Sequence, residues 1–151
     1  MRVLISACLL GLPCRYDGTG KLLEEVNGLL DRVTFIPVCP EQLGGLPTPR
    51  PPAEQVGERV LTRTGDDVTG AYRRGGELTA ALAEYLDCRC ALMKARSPSC
   101  GSGTIYDGTF TSTRVPGDGT AARAVKELGI PVFDEEHWSD FLDYLNGGEA
   151  L

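Results

Sequence analysis

Four short apolar runs, β-branched or aromatic in character, are spaced along the chain at 3–7 (Val-Leu-Ile-Ser-Ala), 33–38 (Val-Thr-Phe-Ile-Pro-Val), 90–94 (Cys-Ala-Leu-Met-Lys) and 131–133 (Pro-Val-Phe). Runs of this length read as buried strands. Between them the apolar period lengthens to that of helices. Leu22, Leu23, Val26, Leu29 and Leu30 predict a helix over 21–31, weakened by Gly28, and a second helix runs from Thr69 to about Leu86 with a Gly75-Gly76 flaw inside it. A third opens at Asp118-Gly119-Thr120 with Ala121, Ala124, Val125 and Leu128 on one face and Gly129 closing it. The last presents Trp138, Phe141, Leu142 and Leu145, and His137 falls within it. Val60–Val68 alternates around Gly65-Asp66 and Thr104–Thr111 around Asp107-Gly108, which predicts two small hairpins. The order predicts an α/β fold: a three-layer α/β/α sandwich with a mostly parallel, Rossmann-like sheet plus small hairpins, in a single domain over 1–151.

Three of the predicted strands run into a cysteine. The first ends at Cys8, the second at Cys39, and the third leads through Ala95-Arg96-Ser97-Pro98-Ser99 to Cys100. Ligands of open parallel sheets bind beyond the carboxyl ends of the strands, so adjacent parallel strands would bring these thiols to one place. After Cys39 come Pro40, expected to bar helix, the acid Glu41, and Gly44-Gly45. Gly11-Leu12-Pro13 and Asp17-Gly18 mark the segment after Cys8 as a loop that carries Cys14 and Arg15. The run Pro47-Thr-Pro-Arg-Pro-Pro52 is held extended and carries Arg50 on a stiff arm.

Composition narrows the chemistry. At 151 residues, 42% hydrophobic and 24% charged, the chain suits one core. A net charge of −6 argues against a nucleic-acid polymer as partner and favours a small molecule. The apolar start breaks at Gly11-Leu12-Pro13, too short to span a membrane and without a secretory signal's features, so the expected location is cytoplasmic. Six cysteines there imply metal binding or thiol chemistry instead of disulfides, and a lone histidine offers little to a mixed zinc site.

Each cysteine alone reads as a small buried apolar residue. Together Cys8, Cys39 and Cys100 share a strand-end position beside Gly, Pro and Ser loops, which favours a ligand set. Three thiolates suit an iron–sulfur cluster with one iron free better than closed zinc coordination, which wants a fourth donor. Cys14 is either that fourth donor or a neighbouring loop thiol, and Cys88 and Cys90 read as structural. Arg15, Arg50 and Lys94 lie near the expected mouth, where ion pairing explains them without a ligand, and Tyr106 and Phe110 are either hairpin packing or a stacking platform. Gly117-Asp118-Gly119-Thr120 lacks the Gly-Lys-Ser/Thr element of a phosphate loop and reads as a helix cap.

The segments Ser6–Gly11, Cys14–Gly18, Pro37–Arg50, Lys94–Gly101 and Ile105–Phe110 resemble, in order and over most of the chain, the domain-of-unknown-function family 523, whose characterised members are thiouracil desulfidases. The resemblance implies a [4Fe–4S] cluster held by three cysteines, matching Cys8, Cys39 and Cys100, and non-redox removal of sulfur from a thiolated pyrimidine. It also implies catalytic roles matching Glu41 and Ser97. On this reading the open iron takes the thiocarbonyl sulfur, Glu41 acts as base for water, Ser97 relays a proton or holds a ring nitrogen, and hydrogen sulfide departs. A solvated loop acid is the alternative for Glu41 and a turn serine that for Ser97. The chain stops soon after its last helix, without the further domain of longer relatives that act on thiolated nucleotides, so the free base is the expected substrate. The rival functions are a four-cysteine iron–sulfur carrier or electron-transfer protein using Cys8, Cys14, Cys39 and Cys100, and a structural zinc domain.

Overall fold

A computed structural model describes residues 1–147. Four strands, β1 (Arg2–Ser6), β2 (Thr34–Val38), β5 (Cys90–Met93) and β8 (Val132–Asp134), form one sheet in the order β2-β1-β5-β8, every pair parallel. β1 lies centrally and is buried from Val3 to Ser6; β2 is an edge strand with only Val38 buried, which is where a sheet tolerates Pro37.

Side-chain alternation along the central strands fills two cores. Val3, Ile5, Cys90 and Leu92 face one side, where Val26, Leu29 and the helix α4 (Trp138–Leu145) cover them with Phe141 and Leu145. Leu4, Ala91 and Met93 face the other, against Ala83 of α2 (Thr69–Tyr85) and Ala121 and Val125 of α3 (Thr120–Glu127). The three-layer α/β/α arrangement with a parallel sheet agrees with the sequence, and Cys88 and Cys90 are buried, one in each core.

Several local expectations change. Pro40 does not bar helix: it stands at the first position of a one-turn helix, α1 (Pro40–Leu43), where its missing N–H has no intrahelical partner to lose. Residues 21–31 form a 3-10 helix over Glu24–Leu29 only, because Lys21 and Leu23 are held extended by hydrogen bonds to the carbonyls of Cys8 and Leu9. The main antiparallel ladder of the first hairpin is β3 (Ala53–Val56) against β4 (Arg59–Thr62), turning at Gly57 with φ +62°; the turn expected at Gly65-Asp66 is a smaller closure with a bridge from Leu61 to Asp67. In the second hairpin β6 (Thr104–Tyr106) pairs with β7 (Arg114–Pro116), leaving a wide loop, since Asp107 bonds Thr109 and Glu54 takes the N–H groups of Gly108 and Phe110. His137 precedes α4 and bonds Asp134.

The Gly75-Gly76 pair proves to be a packing device. A Cβ on Gly75 would meet the Pro40 carbonyl oxygen at 1.9 Å, one on Gly44 the Ala71 oxygen at 2.0 Å, and one on Gly76 the Thr120 oxygen at 3.0 Å. Bare backbone therefore lets one turn of α2 seat α1 on one face and the start of α3 on another.

Candidate active site

β1, β2 and β5 all deliver their carboxyl ends to the same rim, and the chain's order in the sheet reverses between β1 and β5, the place where open α/β sheets take ligands. A cavity of about 340 Å³ opens there, lined by Cys8, Cys14, Cys39, Cys100, Glu41 and Ser97 among others. That volume lies in the usual range for small-ligand pockets, roughly 300–1,000 Å³. The structure thus brings every sequence-predicted site residue to one cavity. Arg15, Arg50, Lys94, Tyr106 and Phe110 border it too.

Each thiol is carried by a different local device. Cys8 stands in the 3-10 turn Ala7–Leu10 that follows β1, closed by Gly11 in the left-handed region at φ +85°. Cys39 is the residue before α1. Cys100 ends a loop pinned by α3, whose first N–H groups are given to the carbonyls of Pro98 (Thr120 N, 3.0 Å) and Ser99 (Ala121 N, 2.8 Å; Ala122 N, 3.1 Å). Gln55 of β3 clamps the same loop by donating to the Pro98 carbonyl at 3.1 Å and to that of Asp118 at 2.9 Å. The donors at the start of α3 are consumed inside the fold, and Gly119 is its cap, consistent with the cap reading of that segment.

Burial, then the neighbouring Cys100 and Cys14, pushes the Cys8 thiol well above the ordinary range. Burial and the adjacent Cys39 push Cys14 up to about 12. Burial pushes Cys100 up to about 11, against the pull of the Ser6 and Ser99 hydroxyls. Such a group of desolvated, mutually repelling soft donors can ionise together only beside a cation. Among the described residues no three His, Cys, Asp or Glu side chains are placed to hold a single metal ion. The thiols border a space instead of meeting at a point, a donor set that fits a polynuclear thiolate-bound group.

Glu41 is no solvated loop acid. It is 9% exposed on the first turn of α1, with Arg50 Nε donating to Oε1 at 2.8 Å and Ser99 Oγ donating to Oε2 at 2.8 Å. Arg50, drawn inward from the proline-rich arm, also donates to the carbonyls of Cys14 (2.8 Å) and Pro47 (3.2 Å) and to Thr48 Oγ1 (2.8 Å), and lies 4.0 Å from Cys39 Sγ. Burial, then the Glu41 carboxylate, raises the Tyr72 phenol far above its usual value. Lys94 pairs with Glu135 at 3.2 Å and Arg96 pairs with Glu136. Ser97 is both a turn serine and a wall of the cavity: its Oγ accepts the N–H groups of Cys100 (2.7 Å) and Ser99 (3.2 Å). Ser99 and Tyr72 escaped the sequence reading. Adjacency to Cys100 was a usable signal for Ser99; Tyr72 reaches the site only because α2 packs on α1.

Fold and site together define an α/β protein with a thiol-lined ligand pocket at the reversal point of a parallel sheet. The sequence matches the 2-thiouracil desulfurase family over residues 3–137, and the chain belongs to that family. It is 38% identical over 150 residues to the uncharacterized protein YbbK of Bacillus subtilis (strain 168), covering 93% of this chain and 99% of that one. The solved structure of the [4Fe-4S]-dependent thiouracil desulfidase TudS superposes with a TM-score of 0.89 at 43% identity, over 96% of this chain and 97% of that chain.

Proposed function

We propose that this chain is a [4Fe–4S]-dependent desulfidase that converts thiouracil and water to uracil and hydrogen sulfide without net redox change. One observation carries the reading: thiols from the ends of three neighbouring strands share a cavity with an anchored carboxylate and a hydroxyl. Cys8, Cys39 and Cys100 are the residues that would hold the cluster. When bound, it supplies a Lewis-acidic iron with affinity for soft sulfur, suited to polarising a thiocarbonyl.

The protein's own residues supply positioning and proton transfer. Glu41, fixed by Arg50 and Ser99, keeps spare lone pairs on both oxygens and accepts a proton from water as it attacks the ring carbon. The buried Arg50 offsets negative charge beside Cys39 and stops the carboxylate from swinging away. Ser97, whose Oγ accepts two backbone N–H groups and lies 3.2 Å from Ser99 Oγ, is held fast on the cavity wall. Tyr106 and Phe110 on the second hairpin line the cavity and are aromatic side chains available there to a pyrimidine, with the Arg63 guanidinium 5.5 Å from the Phe110 ring centroid. The test is anaerobic: protein reconstituted to four irons per chain, given 2-thiouracil or 4-thiouracil, is expected to yield uracil and sulfide in equal amounts. Fully loaded protein that releases no sulfide from either overturns the reading.

The presence of Cys14 in the same cavity, 5% exposed and beside Cys39, favours one second reading, a carrier or electron-transfer cluster held by four cysteines. Cys14→Ser separates the two. Iron content and turnover near those of the unaltered protein support the desulfidase, while loss of the cluster in this variant, with no turnover in the unaltered protein, supports the carrier.

A further inference from the structure

We propose that Phe110 is the wall on which the substrate's ring rests, and that Glu54 is the positioning residue that sets this wall. The proposal rests on the desulfidase reading above. It starts from an aromatic residue that the fold itself does not need. Four aromatic side chains line the cavity: Tyr16, Tyr72, Tyr106 and Phe110. Tyr16 stands exposed, Tyr72 is buried, and Tyr106 sits in the β6–β7 ladder opposite Arg114. Phe110 is half-buried, lies in no strand and stands outside both cores of the described residues. Its backbone is nonetheless left-handed at φ +58°, a conformation that a bulky side chain rarely adopts. Strain of this kind persists only where the surroundings impose it, and it clusters at ligand sites.

The first hairpin imposes it here. Glu54 of β3 takes the N–H groups of Gly108 and Phe110 on one carboxylate oxygen, at 3.0 and 3.2 Å. Gly108, at φ +95°, lies so close to the same strand that a Cβ on it would meet the Gln55 carbonyl oxygen and Val56 Cγ2 at 2.7 Å each. Arg63, just past β4, places its guanidinium 5.5 Å from the Phe110 ring centroid, within cation–π reach. Inside the loop the hydroxyls of Thr109, Thr111 and Thr113 join in series at 2.6 and 2.8 Å. The residues between them, Phe110 and Ser112, line the cavity, and Ser112 is also left-handed at φ +60°. Next to Glu54 on β3, Gln55 clamps the Cys100 loop through the Pro98 carbonyl. One strand therefore fixes both the aromatic wall and a thiol loop, and so sets the gap between them.

Such a wall selects a flat, conjugated ring, which stacks on the face or edge of a phenyl group. A saturated ring of the same size is puckered and has no π face to offer. Phe110 thus acts on binding of the pyrimidine, and Glu54 acts only through Phe110.

The experiment compares the unaltered protein with Phe110→Ala, Phe110→Leu, Glu54→Ala, Glu54→Gln and the Glu54→Ala/Phe110→Ala double variant, each anaerobically reconstituted. Iron content, turnover of 2-thiouracil and 4-thiouracil, and equilibrium binding of uracil and 5,6-dihydrouracil are measured. The unaltered protein should prefer uracil to its dihydro form. Expected for Phe110→Ala are unchanged iron content, uracil affinity and KM both weakened by about 10- to 100-fold, kcat within about threefold, and loss of that preference. Phe110→Leu, which fills similar space without a π face, should lose the preference too and stands in if the alanine variant does not hold iron. Glu54→Ala should weaken uracil binding to a like extent, and Glu54→Gln, which keeps an acceptor oxygen, should stay within about threefold of the unaltered protein. The double variant should bind no more weakly than the weaker single variant. Uracil affinity within twofold of the unaltered protein in Phe110→Ala, or a retained preference in Phe110→Leu, overturns the wall, as does an unaltered protein that binds both rings equally. Loss of iron in both Phe110 variants marks a structural role and likewise overturns it, while losses that multiply in the double variant overturn the part given to Glu54. Loaded unaltered protein that turns over neither thiouracil overturns the desulfidase reading and this proposal with it; an active parent with unimpaired Phe110 variants overturns the wall alone.

Discussion

Glu41 illustrates how much a neighbour's side chain decides. In the sequence it is an acid after a proline; in the fold both its oxygens are committed, one to a guanidinium and one to a hydroxyl, within a pocket of thiols. Glu41→Gln keeps the shape but loses the charge and the spare acceptor capacity. It is expected to leave iron content unchanged and to lower kcat by roughly 100- to 10,000-fold, read by sulfide release from reconstituted protein. The thiols were legible because strand ends are legible: an apolar run stopping at a cysteine specifies a location once the sheet is parallel. Arg50 was visible as a cation near the mouth, but its partner was not, since nothing in a proline-rich run says which way its side chain turns. Ser99 was hidden by its neighbours, because two serines flanking Pro98 look alike until Glu41 selects one of them.

At the level of elements, the glycines and caps decide where the site residues stand. Gly75 looked like a defect in a helix, yet it is the point at which α1 rests on α2. Gly75→Ala is expected to cost about 3 kcal/mol through forced backbone movement, a drop of roughly 8 °C in Tm, and to displace the turn that carries Cys39 and Glu41. A thermal melt of the cluster-free protein measures the first effect and iron retention the second. The segment after β8 carries a pH-dependent joint. Asp134 is buried and accepts from the backbone of Glu136 and His137 and from the His137 ring at 2.7 Å, which raises the imidazole above its ordinary value of about 6.5. A raised pKa means that the folded state binds the proton more tightly, so this contribution is full below about pH 6.5 and fades as pH rises through the elevated folded value. Melting temperature should fall over that interval, and His137→Gln should flatten the step. The wide loop of the second hairpin has its origin in Glu54, a side chain of another element that claims backbone donors local turn rules would have left for pairing.

For the molecule as a whole, apolar periodicity was enough to predict a parallel sheet between helical layers, because buried central strands and one-sided helices leave few other ways to hide their faces. It could not give the strand order, and the order makes the site. With β1 between β2 and β5, residues remote in sequence become neighbours at a single rim. Among the described residues no helix is long and apolar enough to cross a membrane.

The regular ladders of the sheet reach only Val38, Ile5 or Ser6, and Met93; beyond them the loops that bear sulfur are held by an isolated bridge from Arg96 to Ile105 and by single hydrogen bonds to α3 and Gln55. A single inorganic body gripping all three would act as a clasp across the open end of the sheet, and its loss would loosen the loops before the layers beneath. Air-damaged protein is therefore expected to be nicked first by proteases within 11–20 and 94–103, while its far-ultraviolet circular dichroism still matches that of the intact enzyme. Cleavage spread evenly along the chain, or loss of helix signal at the same moment, would show that the clasp fastens nothing.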